Sequence, residues 1–214
     1  FFFFQAEDGI RYLVRFRGLG DVYKRQHHYF LEYALRGGVE CATRAALIGR
    51  ALAVPDANSN LVVAFGRNAW SELAPTAAPE DFIDFHPILG RNDHTAPGTQ
   101  GDVLFWIHGT RHDLNLARAM AIDAVLGASA ALELELHGFN YLDSRDLTGF
   151  IDGTENPRLA EAREAAVIAP AKAGAGGCFV LTQQWTHDLA HFARLGVEAQ
   201  ERAIGRTKAA SIKP

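Results

Sequence analysis

The stretch DVLFWIHGTRHDLNLARAMAIDAVLGASAALELELHG, residues 102–138, holds the pattern that decides the fold. Its first seven residues are apolar enough for a central strand. Thr110 is a candidate N-cap of the helix that follows, with Asp113 at the return position of a capping box, and Gly127 is placed to end that helix. The alternation LELEL at 132–136 then predicts a half-buried strand. The helix between the strands carries one apolar stripe at Leu114, Ala117, Ala121, Ile122 and Val125.

Three more elements precede this stretch. The apolar and aromatic run at 28–35 predicts a strand, the helical spacing at 39–52 predicts a helix, and the run LVVAF at 61–65 predicts another strand. Residues 75–101 contain four prolines and little periodicity, so we expect a long loop. The resulting order is strand–helix–strand–strand–helix–strand, which is the ferredoxin-like arrangement of an α+β protein.

The chain beyond residue 139 begins a second series of elements. A loop rich in turn residues occupies 140–157, a strand is predicted over 177–182, and helices are predicted over 188–195 and 197–204. A strand followed by a helix repeats the start of the first series. We therefore predict a second ferredoxin-like unit that begins in this part of the chain.

Residues 1–26 show no clear helical or strand period. The segments FFFFQAEDGIR and RGLGDVYKRQ resemble a translated sequencing-adapter read, and a native disordered tail is the alternative. Charged residues interrupt any apolar core that a secretory signal would need, so we expect a cytoplasmic protein. The predicted division is a non-native segment over 1–26, a first ferredoxin-like domain over 27–157, and part of a second domain over 158–214.

Composition excludes several classes of protein. Hydrophobic residues make up 48% and charged residues 21%, as in an ordinary folded protein, and the formal net charge of -4 argues against a nucleic-acid partner. No apolar run reaches the length of a membrane span. Cys41 and Cys178 are too isolated to suggest a disulfide framework or a zinc knuckle.

The stretch GFIDGTENP at 149–157 is the strongest candidate for a functional motif. Gly149 and Gly153 permit a positive φ, and Phe150 and Ile151 are expected to exclude water from one side of the Asp152 carboxylate. An apolar setting raises a carboxyl pKa toward the range that suits proton transfer near neutral pH. The alternative is a tight turn in which Asp152 only accepts a hydrogen bond from the backbone of Thr154.

This stretch resembles the signature of the dye-decolourising peroxidases, and of their bacterial B-type branch in particular. Other short motifs match the family in the same order, from residue 27 onward. They are VAFG at 63–66 with Trp70, DVL at 102–104, RHD at 111–113, HGF at 137–139, RDL at 145–147 and IGRTK at 204–208.

The resemblance implies a haem b peroxidase built from two ferredoxin-like domains. It implies that Asp152 is the distal acid–base residue, which takes a proton from hydrogen peroxide and returns it to the departing oxygen. It further implies hydrogen peroxide and a small aromatic or dye-like electron donor as partners. Unfinished sheet edges favour association into a homo-oligomer, and a protein shell is the other candidate partner. The cofactor-binding residues carried over are Ile151, Gly153, Thr154, Glu155 and Arg206.

The family's axial histidine and distal arginine follow the segment that matches IGRTK. The sequence stops at Pro214, so we expect both residues beyond Pro214 and assign no metal ligand within this chain. We therefore expect the chain as written to be a fragment that is inactive by itself. Surface or packing roles are expected for His187 and His191, which are spaced i, i+4 on a predicted helix. Two alternative functions stay open: a haem- or iron-handling protein of the same fold, and a non-enzymatic ferredoxin-like binding module.

Overall fold

A six-stranded sheet organises the protein in the computed structural model, which describes residues 2–4, 27–55, 59–143, 145–157 and 159–213. Four of its strands are β2 (His27–Leu35), β3 (Ser59–Gly66), β6 (Val103–Gly109) and β7 (Ala130–Phe139). They lie in the order β7-β2-β6-β3, and each pair of neighbours is antiparallel. This order confirms the ferredoxin-like arrangement, since each helical connection skips over one intervening strand.

Two helices make the connections between these strands. Helix α1 (Cys41–Leu52) joins β2 to β3, and helix α3 (His112–Leu126) joins β6 to β7. Alternate residues of β2 point to opposite faces of the sheet, so Tyr29, Leu31 and Tyr33 are buried together under the helices. Phe105 and Ile107 of the neighbouring β6 and Ile122 of α3 belong to the same core, and each is fully buried.

The buried face of α3 differs from the predicted stripe. The buried residues are Asn115, Arg118, Ala119, Ile122 and Leu126, whereas Ala117 is exposed. Asn115 is tolerated there because its Nδ2 donates to the carbonyl O of His27 at 2.9 Å. A hydrogen-bonded polar side chain can therefore replace an apolar one on a core-facing stripe, and hydrophobic spacing alone gives no sign of it.

The predicted N-cap of α3 is also wrong. The helix begins at His112, with Arg111 as its cap residue, and no side chain caps its first turn. Asp113 pairs with Arg111 instead of completing a capping box. Gly127 ends the helix as predicted, with φ +43°.

Helix α2 (Arg67–Leu73) follows β3 directly. The stretch predicted as a loop, 75–101, contains some regular structure, and a short 3₁₀ turn covers Pro75–Ala77. Two short strands, β4 (Ile88–Leu89) and β5 (Thr95–Ala96), then pair as a small hairpin.

The C-terminal part consists of helix α4 (Leu159–Ala166), strand β8 (Cys178–Val180), helix α5 (Leu189–Arg194) and helix α6 (Val197–Ile204). Strand β8 joins the main sheet through β1 (Phe2–Phe4), whose backbone pairs with both β3 and β8. The non-native origin of 1–26 and the division at 157 remain predictions, and the rest of 1–26 lies outside the described residues. No helix in the described part of the chain has the length and apolar character that crossing a bilayer requires.

Replacing Tyr33 by Phe tests the packing of β2 against α3. The buried Tyr33 hydroxyl donates to Asp123 Oδ1 at 3.1 Å, so we expect its loss to lower the free energy of unfolding by about 1–2 kcal/mol near neutral pH. Burial and the neighbouring Asp123 charge raise the pKa of Tyr33 well above its ordinary value of 10.0. The folded state therefore holds this proton more tightly than the unfolded state, and the stability that Tyr33 contributes is complete below pH 10 and declines above it.

Urea unfolding as a function of pH measures both effects. The difference in the free energy of unfolding between Tyr33→Phe and the original chain should become smaller as the pH rises above 10. Tyr141→Phe, at a partly exposed site, is the matched control and should change stability little. If the difference in the free energy of unfolding stayed constant through the alkaline range, this account of Tyr33 would be contradicted.

Replacing Arg118 by Met tests the polar contact under the start of β3. The buried guanidinium donates to Ser59 O at 2.7 Å, Ser59 Oγ at 3.1 Å and Val54 O at 3.4 Å. Removing it strands buried acceptors, so we expect a loss of about 3 kcal/mol in urea unfolding. Arg50→Met, an exposed change in the last turn of α1, should stay within about 0.5 kcal/mol. Equal losses in the two variants would show that the contact contributes nothing.

Candidate functional site

A tight turn introduces the loop that carries the GFIDGTENP motif. The N–H of Asp146 donates to Phe150 O at 2.9 Å, and the N–H of Gly149 donates to Asp146 O at 2.8 Å. Burial opposes ionisation of Asp146, but hydrogen bonds from the Thr148 hydroxyl and N–H outweigh it and hold the pKa of this carboxyl below its usual value. Arg145 and Ile151 then pair in an isolated antiparallel bridge, so the next residue leaves the turn in a set direction.

Phe150 anchors the loop to the C-terminal part of the chain. Its side chain is 5% exposed and meets the ring of Phe192 edge to face, with ring centroids 6.2 Å apart. Lys208 Nζ lies 5.5 Å from the centroid of the Phe150 ring. Gly149 has φ +87°, and a Cβ added to it would lie 2.9 Å from Lys208 Cε, so a larger residue would disturb this anchor.

Asp152 is exposed, and its Oδ1 accepts a hydrogen bond from the N–H of Gly153 at 2.7 Å. The expected apolar setting is therefore wrong: Phe150 is buried against Phe192, and Ile151 is only half-buried. The turn alternative named the wrong donor, because the backbone bond comes from Gly153 and not from Thr154. Gly153 has φ +70°, as the sequence suggested. The loop thus presents the carboxylate outward.

The other predicted binding residues meet in one contact between this loop and the C-terminal segment. Thr154 Oγ1 lies 3.1 Å from Ser211 Oγ, and Arg206 donates to Glu155 Oε1 at 2.5 Å and to Ser211 O at 2.8 Å. Lys213 Nζ is a second cation, 3.3 Å from Glu155 Oε2. The hydrogen bond from Arg206, reinforced by Lys213, holds the pKa of Glu155 below its usual value.

Sequence reasoning assigned no role to two side chains that hold this contact together. Arg145 donates to Gly149 O at 2.9 Å and to Lys208 O at 3.3 Å, which ties the turn to the C-terminal segment. Gln200, 5% exposed, accepts from Lys208 Nζ at 2.9 Å and donates to Phe192 O and Leu195 O at 3.0 Å. Because Arg145 lies in the RDL motif, its sequence context indicated a functional role. A single glutamine on an amphipathic helix carries no such indication.

The donor set of this contact suits an anionic ligand with an acid–base partner. Four cationic side chains lie at the loop or beside it: Arg145, Arg206, Lys208 and Lys213. Among the neighbouring carboxylates, Asp143 pairs with Arg145 and Glu155 pairs with Arg206, while Asp152 is exposed. In a haem b site, the cationic residues would suit the propionate groups of the haem, and Asp152 would suit a role in proton transfer.

An axial ligand for iron is a separate requirement of such a site. Residues 140–157 contain no histidine or cysteine, so this loop offers neither of these two common axial ligands of haem iron. Within the described ranges, no group of three or more His, Cys, Asp and Glu residues has the geometry of a metal site. The axial histidine and distal arginine expected beyond Pro214 stay a prediction, and Pro214 itself lies outside the described residues.

Histidines elsewhere take structural positions. His187 Nε2 lies 3.3 Å from Asp146 Oδ1 and precedes α5, so it does not share a helix face with His191 as predicted. The ring of His112 lies 5.8 Å from that of His27 and 5.7 Å from that of His137. The position of His187 agrees with the surface or packing role expected from the sequence.

Comparison with protein-family models gives two matches that together cover most of the chain. The N-terminal model of the Dyp-type peroxidases matches residues 33–140, and the C-terminal model of the same family matches residues 143–213. The second match includes Asp152, all the other predicted binding residues and the anchor of the loop.

Individual relatives agree with these matches. A dye-decolorizing peroxidase of Mycobacterium tuberculosis is 39% identical over 160 residues, which is 74% of this chain and 48% of that protein. One of Brevibacterium linens is 38% identical over 156 residues, 71% of this chain and 41% of that protein. The chain therefore spans about half the length of the curated relatives it matches.

Solved structures show the same relationship. A DypB variant of Rhodococcus jostii in complex with heme superposes with a TM-score of 0.73 at 30% identity, covering 89% of this chain and 64% of that one. A putative dyp-type peroxidase of Shewanella oneidensis gives a TM-score of 0.73 at 29% identity, with 88% and 64% covered. With both halves of the family matched in order over the observed ferredoxin-like fold, the chain belongs to the Dyp-type peroxidase family.

Proposed function

We propose that this chain forms part of a haem-dependent peroxidase that uses hydrogen peroxide to oxidise aromatic or dye-like donors. The observation that carries the proposal is the exposed carboxylate of Asp152, presented by a loop that Phe150 anchors within a matched peroxidase family. A buried or charge-paired Asp152 would not be accessible to an incoming oxidant. Family membership supplies the class of reaction, and the loop supplies the acid–base group.

Asp152 acts in the proposal as the residue that moves the proton of the peroxide. Its Oδ1 accepts one backbone N–H from Gly153, and an ionised carboxylate has further acceptor capacity for a second donor. Asp152 takes a proton from the inner oxygen of hydrogen peroxide and delivers it to the outer oxygen, which then leaves as water. The bond from Gly153 holds the carboxylate in place without neutralising it.

The residues around Asp152 would hold the cofactor, which in this proposal is haem b. Ile151 and Gly153 lie beside the carboxylate, and Thr154, Glu155 and Arg206 form the adjoining polar contact. Arg206 is the candidate partner of a propionate, because a guanidinium pairs with a carboxylate through two parallel hydrogen bonds. When bound, the haem would supply the iron and the two electrons that the cleavage of the peroxide O–O bond requires. The relative from Rhodococcus jostii was determined in complex with heme, which supports this choice of cofactor.

The proposal also covers location and association. A cytoplasmic location agrees with the free thiols of Cys41 and Cys178, because disulfides are rare in that compartment. Association into a homo-oligomer or with a protein shell is supported by the position of β7, which ends the six-stranded sheet at one edge.

Replacing Asp152 by Asn tests the proposed proton transfer. The measurement uses a chimera in which this chain replaces the matching segment of the Mycobacterium tuberculosis relative, loaded with haem. The amide cannot take up the peroxide proton, so we expect the rate of reaction with hydrogen peroxide, followed by stopped-flow absorbance, to fall by about a hundredfold or more. Haem binding should be retained, because the variant keeps the shape of the side chain.

Asp93→Asn is the matched control, since Asp93 is an exposed residue of the β4–β5 hairpin and lies outside the proposed site. It should react with peroxide like the unmodified chimera. Equal rates in the Asp152 and Asp93 variants would remove Asp152 from the mechanism. An unmodified chimera that binds haem and oxidises no dye would support the haem-handling alternative instead.

Replacing Arg206 by Met tests the proposed propionate contact. Loss of a charge-assisted hydrogen bond should weaken haem binding by about tenfold, measured by titrating haem into the apo-chimera and following the Soret band. Arg202→Met on α6 is the control, because Arg202 is an exposed residue paired with Glu198. If both variants bind haem as tightly as the unmodified chimera, Arg206 holds only the loop and not the cofactor.

A further inference from the structure

The chain has three tryptophans, and their indole N–H groups meet three different acceptors. Trp70 donates to the carbonyl O of Ala77 at 3.3 Å, and Trp185 donates to Gln183 Oε1 at 3.3 Å. Trp106 donates to His28 Nδ1 at 3.2 Å. An amide oxygen accepts a hydrogen bond but is far too weak a base to accept the proton itself, whereas a neutral imidazole nitrogen accepts both.

The hydrogen bonds of His28 assign its tautomer. Because Nδ1 accepts from Trp106, the ring proton is on Nε2, which donates to Asn140 Oδ1 at 3.1 Å. Burial lowers the pKa of His28, with the charge of His27 adding to the effect and the Asn140 bond opposing it. His28 is therefore neutral near pH 7 and able to receive a proton at Nδ1. After it does so, Asn140 still accepts from Nε2 and stabilises the imidazolium.

Trp106 lies in a stack on the sheet face opposite α3. It pairs in register with Phe30 of β2, and the two rings are parallel within 12° with centroids 5.5 Å apart. The rings of His108 and His28 lie 4.9 Å and 5.9 Å from that of Trp106. These ring contacts hold the Trp106 indole in the orientation in which its N–H is directed at His28 Nδ1.

We propose that Trp106 is a redox-active residue whose oxidation is coupled to proton transfer to His28. Trp106 gives one electron to a strong one-electron oxidant, its indole N–H bond breaks, and a new N–H bond forms at His28 Nδ1. The products are a neutral indolyl radical and an imidazolium, and the oxidant is reduced by one electron. When a donor returns the electron, the proton returns to the indole nitrogen.

During turnover the oxidant would be the peroxide-oxidised enzyme, so that role of Trp106 rests on the proposed function. The chemistry of the pair does not, because it depends only on the contact between the indole N–H and His28 Nδ1. An external oxidant can therefore test it in this chain with neither haem nor peroxide present.

The experiment compares three variants that each retain one tryptophan. Trp70→Phe with Trp185→Phe leaves Trp106, and the two other double replacements leave Trp70 or Trp185. Laser flash photolysis of a ruthenium tris-bipyridyl complex with an oxidative quencher generates the oxidant, and transient absorbance distinguishes the indole radical cation from the neutral radical. We expect the chain with Trp106 alone to form the neutral radical directly, with a solvent deuterium isotope effect. The chains with Trp70 or Trp185 should first show the radical cation.

Two further changes in the chain that retains Trp106 locate the base. His28→Gln keeps an acceptor but removes the base, so the radical cation should appear and persist on the order of a hundredfold longer. Asn140→Ala leaves His28 in place but removes the hydrogen bond that stabilises its imidazolium, so the lifetime of the radical cation should lengthen by a smaller factor. This second variant keeps the test valid if His28→Gln folds poorly. Two results would overturn the proposal. One is a radical cation at Trp106 that lives as long as those at Trp70 and Trp185. The other is a rate of neutral-radical formation that neither His28→Gln nor Asn140→Ala alters.

Discussion

The antiparallel pairing of β2 with strands on both of its sides is the constraint on which the rest of this structure depends. His27–Leu35 pairs with β6 along one edge and with β7 along the other. A strand held on both sides has a set register, and register decides which side chains meet on each face. Tyr29, Leu31 and Tyr33 are thereby assigned to the core. His28 and Phe30 are assigned to the opposite face, where they meet Trp106.

The same constraint places the candidate site. Strand β7 pairs with β2 up to Phe139, and the chain then turns away from the sheet into the Asp152 loop. From there the loop depends on a second set of contacts, in which Arg145 and Phe150 bind the C-terminal segment around Lys208. These contacts use backbone carbonyls, the Arg145 guanidinium, the Lys208 ammonium and the Phe150 ring, and none of them involves the exposed Asp152 carboxylate. The scaffold and the reactive group are thus held by different residues.

Much of the first half of the chain could be predicted from its sequence. The order of elements from β2 to β7 follows from apolar periodicity, and the family follows from short motifs that succeed one another in the family's order. The errors have physical causes. Asn115 and Arg118 occupy the buried face of α3 because side-chain N–H groups of both residues donate to backbone carbonyls of neighbouring strands, and periodicity does not detect such partners. Helix α4 is also predictable from its sequence, since LAEAREAA consists of strong helix formers.

The sequence by itself determined the ferredoxin-like order, the family and the identity of the loop that carries Asp152, because these depend on local spacing and residue type. Only the tertiary structure decided that Asp152 is exposed, that Arg206 pairs with Glu155, and that Trp106 donates to His28. The last two contacts join residues that are 51 and 78 positions apart in the chain. Their formation depends on strand register and on how the chain returns to the loop, which local pattern does not encode.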